Sequence, residues 1–300
     1  MMSKKRIGLY IDLWDQGVDG KEYGWKDVKG MAQIAEQNNF DTFSLPDRLH
    51  IWGHGQWEST TMLAAVAAVT STIKLEIGVM RSIYRNPTLV GKIVDSIQEI
   101  SGGRLILGLG AGSDVGENKE YGYPENYRYS RFEESLQILL SLLHTGKADF
   151  QGRFYQANNC MLTHRESKHP VPPLFIAAKG PKMLRLAARH ADIWNIPIVP
   201  DSPDGWKTHL KDLEEACEEV GRDPATLEKH AIVAIPSPNK DIKHPGEGFD
   251  GTPLSRDARQ AADQVEVFFE AGFKEILLWP AVCSAQAVEE MVPLVELLKS

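Results

Sequence analysis

Eight short apolar runs rich in β-branched residues alternate with eight amphipathic helical patterns along this chain, and no other feature constrains its fold as tightly. The runs lie near residues 6–13, 42–45, 73–79, 105–109, 174–177, 193–196, 231–236 and 275–279. Helical periodicity follows each of them, at 25–38, 58–69, 87–100, 131–144, 181–190, 204–220, 256–271 and 285–299. In the sixth helical pattern Trp206, Leu210, Leu213, Cys217 and Val220 recur on one stripe, which predicts that Cys217 is a core residue. Strands joined through helices run parallel. Eight parallel strands can close on themselves and leave no edge, so the predicted fold is α/β, a (β/α)8 TIM barrel, with an open doubly wound sheet as the alternative.

The interval from Leu105 to Leu174 is longer than the others and predicts an insertion after the fourth strand/helix unit. A hairpin at about 147–165, turning through Asp149 to Tyr155, accounts for it, and the Pro-, Gly-, Lys- and Asp-rich stretch at about 236–253 reads as a long rim loop. Residues 1–300 are otherwise expected to form a single domain.

Composition narrows the function. The net charge is −8 with no basic block, which argues against a nucleic-acid partner. No stretch approaches the roughly 20 apolar residues of a membrane span, and the N-terminal segment lacks the features of a secretory signal. Cys160, Cys217 and Cys283 are odd in number and widely spaced, so neither a disulfide framework nor a C-x-x-C site is expected, and a cytoplasmic location fits best. His50 and His54 form no metal-ligand pattern, and Ser113 lacks a G-x-S-x-G elbow, so neither a metal centre nor hydrolase chemistry is expected.

In such a barrel only the loops after the strands are free to build a site. The candidates there are Asp12, Asp47, Arg48, His50, the segments Gly78 to Arg81, Gly110 to Asp114 and Ala177 to Gly180, together with Asn195 and Trp279. The glycines at 108, 110 and 112 do not match a dinucleotide fingerprint, since the third comes one position early. They permit close backbone approach to a flat or anionic ligand, or serve a tight turn. The run Phe175 to Pro181 leads through small residues into a helix with proline at its first position. Its open N–H groups and Lys179 make an anion site, or its small residues serve close strand-to-helix packing.

Several stretches in order resemble the luciferase-like family of flavin- and deazaflavin-dependent oxidoreductases: Phe40 to Thr42 with Pro46 to Leu49, Arg85 to Pro87, Ser101 to Arg104, Tyr121 to Pro124, Phe150 to Tyr155, and Pro173 to Pro181 with Ala191 to Asn195. That resemblance implies a (β/α)8 barrel holding coenzyme F420, with FMN as the alternative. It implies a bulge at Gly78 and Val79 with a non-prolyl cis peptide, backing the ring. The implied cofactor-binding residues are Gly78, Val79, Met80, Gly110, Gly112, Ser113, Ala177, Ala178, Lys179 and Gly180, with the phosphate at the last three.

The implied catalytic residues are Asp47, Arg48 and His50. Many deazaflavin members have His directly after the aspartate, whereas this chain has Arg48, with His50 two residues on. The implied reaction is hydride transfer between the deazaflavin and a small organic substrate. An FMN-dependent monooxygenase served by a separate flavin reductase, and a non-catalytic flavin-binding barrel, are the alternatives. A positive strip of Arg48, Arg81, Arg85, Lys179 and Lys182 would suit the acidic tail of F420, and Trp14, Trp52, Trp57, Trp194 and Trp279 would form an aromatic wall. A homodimer is the expected assembly.

Overall fold

A computed structural model describes residues 5–12, 17, 19–51, 54–112, 116–162, 169–198, 205–237, 239, 241–242, 244 and 254–300. In chain order the elements are β1 (Arg6–Tyr10), α1 (Trp25–Gln37), β2 (Thr42–Leu45), β3 (His50–Ile51), β4 (His54–Gly55), α2 (Ser59–Val69), β5 (Lys74–Arg81), α3 (Pro87–Ser101), β6 (Leu105–Gly110), α4 (Glu117–Glu120), α5 (Arg128–Thr145), β7 (Lys147–Gln151) and β8 (Gln156–Met161). The second half adds β9 (Leu174–Ala177), α6 (Pro181–His190), β10 (Ile193–Ile198), α7 (Gly205–Glu219), a 3-10 turn at Pro224–Thr226, β11 (Glu228–Ile235), α8 (Ala258–Glu270), β12 (Glu275–Pro280) and α9 (Ala285–Lys299).

β1, β2, β5, β6, β9, β10, β11 and β12 are all parallel and close into a barrel in that order. The open sheet is thereby excluded. β3 pairs with β4 in a short antiparallel ribbon within the loop after β2. The hairpin β7–β8 leaves the barrel after α5, where the sequence places its insertion, and residues 163–165 of the expected span lie outside the described ones. Of the 236–253 stretch only 236, 237, 239, 241, 242 and 244 are described. No described helix is long and apolar enough to cross a membrane.

The outward faces of the strands and the inward stripes of the helices share one large core, which contains Leu9, Leu63, Leu107, Leu213, Cys217, Ile276 and Val288. Cys217 is fully buried there, as its stripe predicts. Helix starts are fixed by side chains at the barrel's loops: Glu58 accepts from the N–H of Thr60 and Thr61, Asn86 from Thr88, Asp257 from Gln260 and Ser284 from Ala287. α6 has Gly180 at its cap position and no side-chain cap hydrogen bond, as is also true of the cap positions of α1, α4 and α5.

The barrel interior is layered by polarity. Its lower end holds Arg6, Glu228, His230 and Glu275: Arg6 Nη2 lies 2.8 Å from Glu228 Oε1 and its Nε lies 3.0 Å from Glu275 Oε2. Arg6 Nη2 also lies 2.9 Å from His230 Nε2. Above this layer Tyr10, Ile232 and Leu277 pack with Trp279 on one side, and Ile106, Phe175 and Ile193 pack with Val79 and Ala177 on the other.

Candidate active site at the barrel mouth

The third barrel strand, β5, bulges where it meets the mouth. Its register against β6 slips between Ile77 and Met80, and the Gly78–Val79 peptide is cis. The neighbouring glycines make room for that slip. A Cβ on Gly108 would lie 2.1 Å from the Ile77 carbonyl oxygen, and one on Gly110 would lie 2.8 Å from Val79 Cγ2. Gly78 itself faces inward, where a Cβ would come within 2.6 Å of Ser44 Oγ and 2.7 Å of Glu76 Oε1. The result is a flat, side-chain-poor wall made by Gly78, Val79, Gly110 and Ala177. Gly112 follows at φ +83°, a left-handed turn that suits glycine, and its carbonyl accepts from Arg128 at 3.3 Å. The Met80 side chain is fully buried in the main core, so only its backbone belongs to the wall. Ser113 lies outside the described residues.

Asp47 anchors the loop after β2. Its carboxylate, 2% exposed, accepts from both Arg85 guanidinium nitrogens at 2.6 and 2.9 Å, from Ser59 Oγ at 2.8 Å and from the Arg81 N–H at 3.0 Å. It therefore ties β2, α2, the end of β5 and the following loop together. Arg85 also pairs with Glu58, and Arg81 turns inward to Glu117 Oε2 at 2.5 Å, so neither belongs to an exposed positive strip as expected from sequence.

Glu117, in α4, is a residue that sequence reasoning missed. Fully buried, it also accepts from the backbone N–H of Leu49 and of His50, clamping the 48–50 backbone against β5. Burial alone would raise its pKa, but those N–H groups and Arg81 hold the carboxylate below its ordinary value. His50 packs against this same segment: its Nε2 lies 2.6 Å from Glu120 Oε2 and its ring stacks on Tyr121 at 5.9 Å.

Across the mouth, the end of β1 places Asp12 almost wholly buried, with Oδ2 accepting from the Trp279 indole at 2.8 Å. Burial pushes the Asp12 carboxyl up to about 6, while the positive charge of Arg48 and the indole hydrogen bond oppose that rise. Trp279 is framed by Tyr10, edge-on at 5.6 Å, and by His244 at 4.5 Å, whose Nε2 lies 2.9 Å from the Trp279 carbonyl. A carboxyl that holds its proton to near-neutral pH beside an aromatic wall is equipped to exchange that proton with a bound molecule.

Of the five expected tryptophans, Trp279 alone among the described residues stands at the mouth. Trp194 is fully buried and donates to the Ala178 carbonyl at 2.9 Å, and Trp57 donates outward to the Tyr23 carbonyl at 3.1 Å. Trp14 and Trp52 lie outside the described residues. The Trp194 bond fixes the Ala178 peptide just before the exposed pair Lys179 and Gly180, so the open first turn of α6 is presented at the rim. Lys182, the second residue of α6, covers the Tyr129 ring at 5.6 Å.

A family model described as luciferase-like monooxygenase matches residues 8–238, most of the barrel. The chain belongs to the luciferase-like monooxygenase family. Among its relatives, the phthiodiolone/phenolphthiodiolone dimycocerosates ketoreductase of Mycobacterium tuberculosis is 30% identical over 182 residues, 60% of this chain and 47% of that protein. The F420-dependent hydroxymycolic acid dehydrogenase of Mycobacterium tuberculosis is 31% identical over 216 residues, 67% of this chain and 56% of that protein. The chain thus matches about half the length of these curated relatives. Among solved structures, an F420-dependent secondary alcohol dehydrogenase in complex with an F420-acetone adduct superposes with a TM-score of 0.82, covering 99% of this chain and all of that one at 19% identity. That likeness independently places the luciferase-like chain among (β/α)8 barrels.

Proposed function

We propose that this luciferase-like barrel is an oxidoreductase that binds coenzyme F420 at its mouth and transfers a hydride between it and a small organic substrate. The observation that carries the reading is the joining of three features on one rim: a flat glycine-built wall on β5 and β6, an uncapped helix start at α6, and a buried proton-holding carboxyl at Asp12. These residues fit a planar ring with a phosphate. Gly78, Val79, Gly110 and Ala177 would lie along the ring, and Ala178, Lys179 and Gly180 would take the phosphate at the positive end of α6. When bound, the deazaflavin supplies the hydride-accepting carbon.

The chain's own groups do the rest. Asp12 holds or releases the substrate proton, Trp279 orients that carboxyl and excludes water, and Arg48 adds a positive charge that favours its ionised form. Asp47 and Glu117 keep the 47–50 loop and the β5 end in register, so that Arg48 and His50 are held at the rim rather than left to a mobile loop. The F420-dependent activity in the name of the Mycobacterium tuberculosis relative supports the deazaflavin over FMN. Lys179, Lys182 and Arg48 supply positive charge for an acidic tail. A second copy of this chain is the proposed assembly partner, and the cytoplasm the proposed location.

The test offers F420 and FMN separately to the purified chain, follows binding by fluorescence, and follows F420 reduction with secondary alcohols by loss of the oxidised absorption band. Saturable F420 binding with turnover supports the reading. Binding of FMN instead moves the assignment to a monooxygenase served by a flavin reductase, and binding of neither rejects the site.

A further inference from the structure

Directly beneath the β5 bulge lies a buried carboxyl that the reaction above does not use. Glu76 is fully buried on the inner face of β5, two residues before Gly78, and its Oε1 accepts from Ser44 Oγ at 2.7 Å. Those same two atoms are the ones that a Cβ at Gly78 would strike, at 2.7 and 2.6 Å. The Ser44–Glu76 pair is therefore in direct support of Gly78, with no side chain between them. The other oxygen, Glu76 Oε2, has no hydrogen-bond partner among the described residues, and neither do Glu275 Oε1, His230 Nδ1 and Thr42 Oγ1.

We infer that Glu76 is a positioning residue: together with Ser44 it sets the height of the Gly78–Val79 wall, and loss of its proton alters cofactor affinity by pushing on that wall. The inference rests on the cofactor reading above. Charged and titratable groups face Glu76 from several strands. Arg6 comes from β1, His230 and Glu228 from β11, and Glu275 from β12, while β2 contributes only the neutral Thr42 and Ser44 and β6 the apolar Ile106. Burial is the largest influence and, with the negative charge of Glu275, raises the Glu76 carboxyl to about 7, against lowering by His230, Ser44 and Arg6.

An ionised Glu76 beside Glu275 in a dry interior is relieved by moving apart. The packed core around β5 opposes outward movement, whereas Gly78 above carries no side chain and lies against the Glu76 carboxylate, so the displaced carboxylate presses on the backbone there. Protonated Glu76 keeps the wall low and open, and ionised Glu76 raises it into the ring's space.

The test measures F420 affinity by fluorescence titration from about pH 5.5 to 8.5 for the wild type, Glu76→Gln and Ser44→Ala, each checked for folding by circular dichroism. The wild type should lose affinity by about three- to tenfold through an inflection near neutrality, a change of up to ~1.4 kcal/mol. Glu76→Gln, which keeps the shape and the Ser44 contact but has no proton to lose, should hold the acid-side affinity throughout. Ser44→Ala removes a bond that favours the ionised carboxyl, so its inflection should move to higher pH. Asp12 titrates nearer 6, and Asp12→Asn distinguishes its contribution.

A flat wild-type profile, or a Glu76→Gln variant that keeps the wild-type inflection, overturns the inference. Should Glu76→Gln fail to fold, the Ser44→Ala inflection decides, and an unmoved one overturns it. Failure of the wild type to bind F420 at any pH is a different result, which removes the functional reading and this inference with it.

Discussion

Gly110 lacks a side chain in the place that Val79 fills: a Cβ there would lie 2.8 Å from Val79 Cγ2. The glycines of β6 are thus complementary to the bulge of β5, and their first duty is to admit it. Gly108 is under tighter constraint, because its Cβ would meet the Ile77 carbonyl, which is backbone. Gly110→Ala should cost about 1–3 kcal/mol and weaken cofactor binding as Val79 is driven into the ring's space. Gly108→Ala should cost at least about 3 kcal/mol, since two strands must part. Urea unfolding of both variants checks the order, and an equal cost would mean that the bulge is not what the glycines accommodate.

Asp12 gives a pH signature with a definite sign. Its carboxyl is raised from 3.8 to about 6, so the folded protein binds this proton more tightly than the unfolded chain does. The stability that the proton contributes is complete below about 3.8 and is lost as pH rises through about 6. Asp12→Asn should therefore flatten the fall in urea midpoint across that window. If oxidation of an alcohol needs the ionised form, activity should rise through an inflection near 6, and Trp279→Phe, which deletes a bond favouring the carboxylate, should move that inflection to higher pH.

Asp47→Asn should destabilise the protein by about 3 kcal/mol, because it leaves the largely buried Arg85 with only Glu58 as a charged partner. Pairing it with Arg85→Met should cost less than the sum of the two single changes. Thermal melts of the four proteins close that cycle, and strict additivity would show that the ion pair does not bind the loop to β5.

Lys179→Ala should leave the melting temperature unchanged, since the side chain is exposed, yet weaken cofactor binding by about tenfold, or ~1.4 kcal/mol. The loss should shrink as salt rises, because the contact is ionic. Titration at two ionic strengths reads both effects, and unaltered affinity removes Lys179 from the phosphate site.

The barrel was legible because strand and helix periods alternate without interruption, and the hairpin because one interval is too long. The rim position of Asp12 follows from that count as well. Its burial does not, since it depends on Trp279 arriving from the far end of the chain. Local reading also cannot see that Arg81 and Arg85 face inward, because their partners Glu117 and Asp47 lie 36 and 38 positions away. Trp194 misled for the complementary reason: a strand-end tryptophan reads as a rim residue until its indole is found bound to Ala178. Glu117 carries no periodic signal at all, lying in a Gly- and Tyr-containing loop whose short helix appears only in three dimensions.

The missing cap of α6 has one more consequence. Glu58, Asn86, Asp257 and Ser284 each satisfy their own helix from within, at all times, whereas Gly180 leaves that task to something from outside. A phosphoryl oxygen seated there would stand in for the absent side chain, worth about 1 kcal/mol to the helix. Ligand occupancy and the firmness of that first turn then become two faces of a single equilibrium, each measurable through the other.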